Sequence, residues 1–269
     1  MCLANRDLVS SHLIPAALYG YCSDEHIEPI RVSDGAVVPT SRQTQDYLLC
    51  IDCEGILNRG GESWVNSKLC RMDRKFPLYE IVVSGQPAFA EDENNSIYLA
   101  SHNPAIDVEK LTHFGIGIFW KASVHSWKPG TTDPLIDLGP YSGQLRGWLR
   151  GQMDFPANVG LWVTVSPPER AQVTLNPPML SKRTEYRTYL LHLLGLIYQL
   201  NVGTGIDPMA LETCFYRNPE HPIVISHDLT AVLERGLVRQ FSKARKTDSY
   251  LRAKKKREVA LGRANDSSR

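Results

Sequence analysis

Two cysteines three positions apart, in Cys50-Ile51-Asp52-Cys53-Glu54, constrain this chain more than any other feature. Two thiolates at that spacing can bite one metal from a tight turn, and a metal held there fixes how the flanking segments meet. The pair makes only half of a tetrahedral site, so further ligands must come from elsewhere in the chain. Buried or redox thiols are the competing reading. The first 75 residues are loop-rich and hold five of the six cysteines: Cys2, Cys22, Cys50, Cys53 and Cys70.

The start, MCLANRDLVSSH, has no basic segment followed by an apolar one, so no secretory signal is expected. The most apolar run, Tyr189–Leu200, contains His192 and Gln199 and is shorter than the roughly 20 residues a membrane span needs. The chain therefore reads as cytoplasmic, and its cysteines as thiols or metal ligands rather than disulfides. At 269 residues it is long enough to bury a sizeable core without cross-links.

A formal net charge of +1 hides an asymmetry. Arg239–Arg257 carries nine basic residues against Asp248 alone, a net +8 that leaves −7 on the rest. Lys243, Arg245, Lys246, Arg252, Lys254, Lys255, Lys256 and Arg257 spread charge around a helix rather than along one stripe. That pattern suits sequence-blind contact with phosphates, with a solvated tail as the plain alternative.

Patterning gives a mixed chain. Strands are expected at Asp46–Ile51, Leu78–Ser84, Ser96–Ala100 and Val159–Val165, with an acidic hairpin connection over Ala90–Asn95 and Val173–Leu175 as a partner for the last strand. Helices are expected over Cys53–Arg71 (weakened at Gly60 and Gly61), Ile106–Trp127 with Asp107 as N-cap, Tyr141–Arg150, Glu185–Asn201 as a buried core helix, and Leu229–Ala260. His192 then reads as a hydrogen-bonded core histidine, and Gly203-Thr204-Gly205 as the turn ending its helix.

The string Cys2…Ser11-His12-Leu13-Ile14-Pro15…Leu48-Leu49-Cys50-x-x-Cys53-Glu54…Glu62 resembles the HNH (His-Asn-His, ββα-metal) endonuclease superfamily. It is most similar to an uncharacterised bacterial branch with Ser-His-x-Ile-Pro and Leu-Leu-Cys-x-x-Cys-Glu motifs. The likeness extends into Lys110–Val124, Leu138-Gly139 and Gln144–Leu149, but the specific motifs lie in the first 65 or so residues.

The resemblance implies an α+β protein: a treble-clef, ββα-type zinc module over residues 1–75, a mixed body over 76–235, and a basic helix and tail over 236–269. It implies a phosphodiester hydrolase acting on nucleic acid, DNA being the expected form, with defence against foreign DNA as the role such families suggest. His12 takes the place of the general base, which activates a water beside a divalent metal, usually magnesium. Gln45 stands near the place of the residue that orients the base. Glu54 stands where the family has a metal-binding histidine, and a carboxylate suits magnesium. Ser11 stands where active relatives often carry a metal ligand.

Cys2, Cys50 and Cys53 would hold structural zinc. The fourth ligand is expected either upstream of Met1 or from Cys22, His26 or Cys70. A non-catalytic nucleic-acid binder on the same fold, and a protein- or ligand-binding module with a structural knuckle, are the alternatives.

Overall fold

A computed structural model describes residues 1–23, 28–33, 35–90, 94–128, 130–171 and 174–266. The chain begins with β1 (Val9–His12), α1 (Ala16–Gly20), β2 (Ile30–Ser33), β3 (Ala36–Pro39), β4 (Gln45–Leu49) and α2 (Ile51–Leu57). A π-helical turn, Asn58–Glu62, carries α2 into α3 (Ser63–Asn66), and α4 (Pro77–Val83) follows. The middle comprises β5 (Phe89–Ala90), β6 (Asn95–Leu99), α5 (Val108–Val124), α6 (Tyr141–Leu149), β7 (Val159–Val165), β8 (Leu175–Arg183), β9 (Arg187–Leu193) and β10 (Leu196–Val202). The chain closes with α7 (Pro208–Glu212), β11 (Pro222–Ser226), α8 (His227–Lys243), β12 (Arg245–Lys246) and α9 (Asp248–Asp266). The architecture is mixed α+β, as expected, and no helix among the described residues is long and apolar enough to cross a membrane.

Three sheets organise it. A seven-stranded sheet runs β5-β6-β11-β7-β10-β9-β8, antiparallel except where β11 lies parallel to β7. A two-stranded ribbon pairs β1 with β4, and a small sheet runs β12-β3-β2. The register sets Leu161 against Leu200 and Val163 against Tyr198. These four side chains share one face, because alternate residues of a strand point the same way.

That face packs on α5, which is buried along most of its length. The rings of Phe114 and Tyr198 lie 6.3 Å apart, and the Tyr198 hydroxyl donates to the Leu111 carbonyl at 2.8 Å. A Cβ on Gly115 would come within 2.8 Å of the Tyr198 ring, so glycine is what lets helix and sheet approach this closely. Asp107 caps α5 by accepting from the Lys110 N–H at 3.0 Å, as its position predicts. One contiguous core joins residues from Leu13 to Ile225.

Several expectations are corrected. Glu185–Asn201 is not a helix but the β9–β10 hairpin. Its apolar residues continue on both faces because both faces of these strands are largely buried, which erases the alternation that marks a strand. The turn signal is Leu194-Gly195, with φ of 49° and 90°. Positive φ at both central residues is the type I′ arrangement that tight hairpins favour. Gly203-Thr204-Gly205 therefore follows a strand, not a helix.

Leu78–Ser84 is helical. Pro77 pre-sets the first turn, and Leu78 and Val82, four apart, are the buried pair. The antiparallel partner of β7 is β10; Leu175 starts β8, which pairs with β9, and Val173 lies outside the described residues. Residues 91–93 of the acidic connection also lie outside them, although β5 and β6 do pair antiparallel. The expected single helix over Leu229–Ala260 is two, α8 and α9, interrupted by β12.

Candidate functional site

The sulfurs of Cys2, Cys50 and Cys53 converge, all lying within 4.8 Å of one another. Cys2 Sγ and Cys50 Sγ are 3.8 Å apart. Tetrahedral Zn–S bonds of about 2.3 Å place sulfurs roughly 3.8 Å from each other, so the spacing fits one metal ion. The pair sits where β4 turns into α2: Cys50 is the N-cap and Cys53 lies in the first turn, so the helix start presents both thiols together. Cys2 comes from the segment leading into β1. Leu3, next to it, has φ of 61°, a conformation that costs a branched-chain residue energy.

A hydrogen bond from the Ala4 backbone, and then one from Cys53, lowers the Cys2 thiol to about 7. Burial, and then the two neighbouring sulfurs, push Cys53 up to about 11. An ion pair between Arg6 and Asp52 ties the segment after Cys2 to the turn between the other two cysteines. Cys22 and Cys70 do not join the cluster: their thiols face the carbonyls of Leu18 and Arg71. His26 lies outside the described residues.

His12 ends β1, and its cross-strand partner in β4 is Gln45. Directly opposed side chains lie on one face of a ribbon, so Gln45 stands beside His12. His12 is half-buried and Gln45 exposed. Ser11 is fully buried. Its hydroxyl accepts from the Leu49 N–H at 3.1 Å and donates to the Val9 carbonyl at 3.4 Å, bracing the strand pair.

A helix that the motif does not include reinforces this ribbon. Lys121, on α5, is 1% exposed. Its ammonium donates to the His12 carbonyl at 2.8 Å and to Glu62 Oε1 at 3.0 Å. One residue past α5, His125 Nε2 meets Asp46 Oδ2 at 3.0 Å, and that bond holds the Asp46 carboxyl below its ordinary range. The end of α5 thus grips the strand end that carries His12 and the start of the strand that carries Gln45.

Glu62 closes the π-helical turn, and the glycines before it have a packing reason. A Cβ on Gly61 would lie 2.4 Å from the Lys110 carbonyl, and one on Gly60 would lie 2.2 Å from the His113 ring. Glu54, Asn58 and Glu62 line one side of an open groove of about 600 Å³, with Asp52 and Arg59. Glu54 Oε1 is buried there and has no hydrogen-bond partner among the described residues. His12 is not among the residues lining this groove.

Most of the basic residues are on the surface. Lys243, Arg245, Arg252, Lys254, Lys255, Lys256 and Arg257 are all exposed. Lys246 differs: its ammonium turns in to the carbonyls of Phe241 and Ala244 and sits 4.1 Å from the Phe241 ring centre. The tail is anchored as well. β12 pairs in parallel with β3, and the Thr247 hydroxyl donates to the Val37 carbonyl at 2.7 Å.

Sequence reasoning passed over Lys121 and His125. Lys121 had a signal: a lysine within the apolar run Ile116–Ala122 must find a buried partner or leave the core. No protein-family model, curated protein or solved structure matches the chain.

Proposed function

We propose that the chain is a metal-dependent endonuclease of HNH type that hydrolyses nucleic-acid phosphodiester bonds, DNA above all. The observation that carries this reading is a single juxtaposition. An antiparallel ribbon with His12 opposite Gln45 runs straight into a helix whose first turn carries two of three convergent cysteines. The cysteine cluster is a structural zinc site that locks ribbon to helix. His12 is the general base, taking a proton from the attacking water, which suits an imidazole near neutral pH. Gln45 orients its ring.

Lys121 fixes the His12 backbone, so the base is held by a buried charge as well as by strand pairing. Glu54, with one buried oxygen free of protein partners among the described residues, is the residue to hold a divalent cation such as magnesium. When bound, such a cation steadies the scissile phosphate and the leaving oxygen. The exposed cations of α9 hold the polyanion.

A second reading, a non-catalytic nucleic-acid binder on the same fold, draws on two observations. Ser11 spends its hydroxyl on the backbone, and the groove holding Glu54 is not lined by His12. Plasmid DNA incubated with the protein and magnesium separates the two. The first reading expects nicking that chelation stops and that His12→Ala lowers at least a hundredfold. Tight, salt-dependent binding without cleavage leaves only the second.

A further inference from the structure

A second groove, of about 580 Å³, opens between α5, the end of α6 and the segment after α7. Its wall is a trio of half-buried rings. Trp148 and Phe155 have centroids 5.2 Å apart and planes at 88°, and Trp148 and Tyr216 lie 5.4 Å apart at 77°. Phe155 and Tyr216 close the corner at 4.8 Å. Rings set nearly edge to face leave their π faces turned in different directions, which is how aromatic side chains wall a corner.

The rim is acidic. Glu109 accepts from the Tyr216 hydroxyl at 3.3 Å, and Asp154 lines the same opening. Burial first, then the charges of Glu109 and Asp154, raise the Tyr216 hydroxyl above its ordinary range, so both carboxylates act on this corner. Among the described residues, neither Lys nor Arg lines the groove. His113 does, but its Nε2 meets the Leu149 carbonyl at 3.1 Å, and burial keeps its pKa low. The trio already engages one cation of the protein itself: the Arg217 guanidinium lies 5.8 Å from the Phe155 ring centre.

We infer that this groove binds an organic ammonium group of the trimethylammonium class, either on a free small molecule or on a methylated lysine. Aromatic faces attract a cation through the ring quadrupole, and a methylated ammonium gives up little hydration to lie against them. The two carboxylates supply the countercharge. They also disfavour the other flat, stackable ligand, a nucleotide, because its phosphate would face the same negative rim.

Titration calorimetry on the full chain tests this without DNA, so its outcome is independent of the nuclease reading. The probes are choline, its uncharged carbon isostere neopentyl carbinol, a short peptide bearing trimethyllysine, and cytidine and adenosine monophosphates. Choline or the peptide is expected to bind saturably and about five times more tightly than the uncharged isostere, the fold-change of an exposed cation–π contact. The stronger of the two identifies the source of the ammonium. Glu109→Gln with Asp154→Asn should weaken binding of the ammonium probes, the rings alone keeping part of the preference, and leave the isostere's binding as it was. Both are surface changes that keep the rings in place, and circular dichroism checks the fold. Equal binding of the uncharged isostere, no saturable binding of either ammonium probe, or tighter binding of a nucleotide would each overturn the assignment.

Discussion

Strands β1 and β4 are four and five residues long and pair only with each other among the described residues. Strands β7, β9 and β10 have seven residues each and lie side by side inside a wide sheet. The ribbon turns one face to solvent, at Ser10, Tyr47 and Gln45, and is held by Ser11, Lys121 and three thiols. The sheet is held by Leu161, Val163, Leu191, Tyr198 and Leu200, each essentially inaccessible. A two-stranded ribbon is marginal by itself in water. The ribbon therefore depends on a few specific polar and thiol contacts, whereas the sheet depends on area.

Removing the three convergent thiols, which lie close enough to hold a metal ion, should expose this difference most sharply. Structural zinc contributes about 10–16 kcal/mol in small zinc-finger peptides, so on the proposed zinc reading the ribbon stands to lose far more than the sheet. Chelation, or Cys53→Ser, should abolish hydrogen-exchange protection in β1, β4 and α2 while β7, β9 and β10 keep theirs. Protein purified with zinc should hold one ion per chain. Uniform loss of protection, or none, would break the comparison.

Next in size is the buried ion pair. Lys121→Met leaves Glu62 without its partner and strips the His12 carbonyl of its donor. Breaking such a pair costs about 3–5 kcal/mol. Adding Glu62→Leu should restore much of that stability, since two apolar side chains can replace a buried pair. On the nuclease reading, both the single and the double variant should lose activity, because the strand end carrying His12 is no longer braced. Denaturant melts of the single and double variants give the coupling directly.

The sheet has one polar weakness of its own. His192 is 5% exposed, neither ring nitrogen has a hydrogen-bond partner among the described residues, and burial lowers it to about 4. The folded state thus resists a proton that the unfolded chain accepts near pH 6.5. Stability contributed by neutral His192 is complete above that value and is lost as pH falls from about 6.5 towards about 4. The loss is of order 3 kcal/mol across the window. His192→Leu should flatten that part of the pH–stability curve. An unchanged slope would mean the histidine finds a partner in solution.

The smallest effect expected concerns the tail. Changing Lys254, Lys255, Lys256 and Arg257 to Gln should weaken DNA binding by similar factors across unrelated sequences. The salt slope should fall by about 0.9 for each phosphate that the tail no longer engages, and melting should stay unchanged. Truncation after Gln240 is a different experiment: it removes β12 and uncovers Val37, now fully buried, so the small β2–β3 sheet should lose stability too.

Legibility in the sequence follows the same division. The Cys50–Cys53 pair is readable because thiol spacing is a local signal; Cys2, 48 positions from Cys50, and the His12–Gln45 pairing entered only through the family resemblance. Asp107 and the two central helices are readable because capping and helical periodicity are local too. The β9–β10 hairpin is hidden because strands covered on both faces look like a buried helix until the Leu194-Gly195 turn is weighed. His192 reads as hydrogen-bonded from sequence alone; its neighbours across the sheet, Asn176 and Ile197, are known only once the register is. Lys121 can be singled out as a buried charge, but its partner Glu62 stands 59 positions away.

The parallel pairing of β12 with β3 has a consequence for synthesis. Arg245 meets Ala36 and Lys246 meets Val37, so this edge of the N-terminal part stays open until nearly the whole chain has left the ribosome. At about 5–20 residues per second, roughly 200 residues take about 10–40 s to follow. Contacts so distant in sequence also form slowly once both halves are present. For that interval the nascent chain displays an open edge on β3, and the arrival of the basic segment closes it.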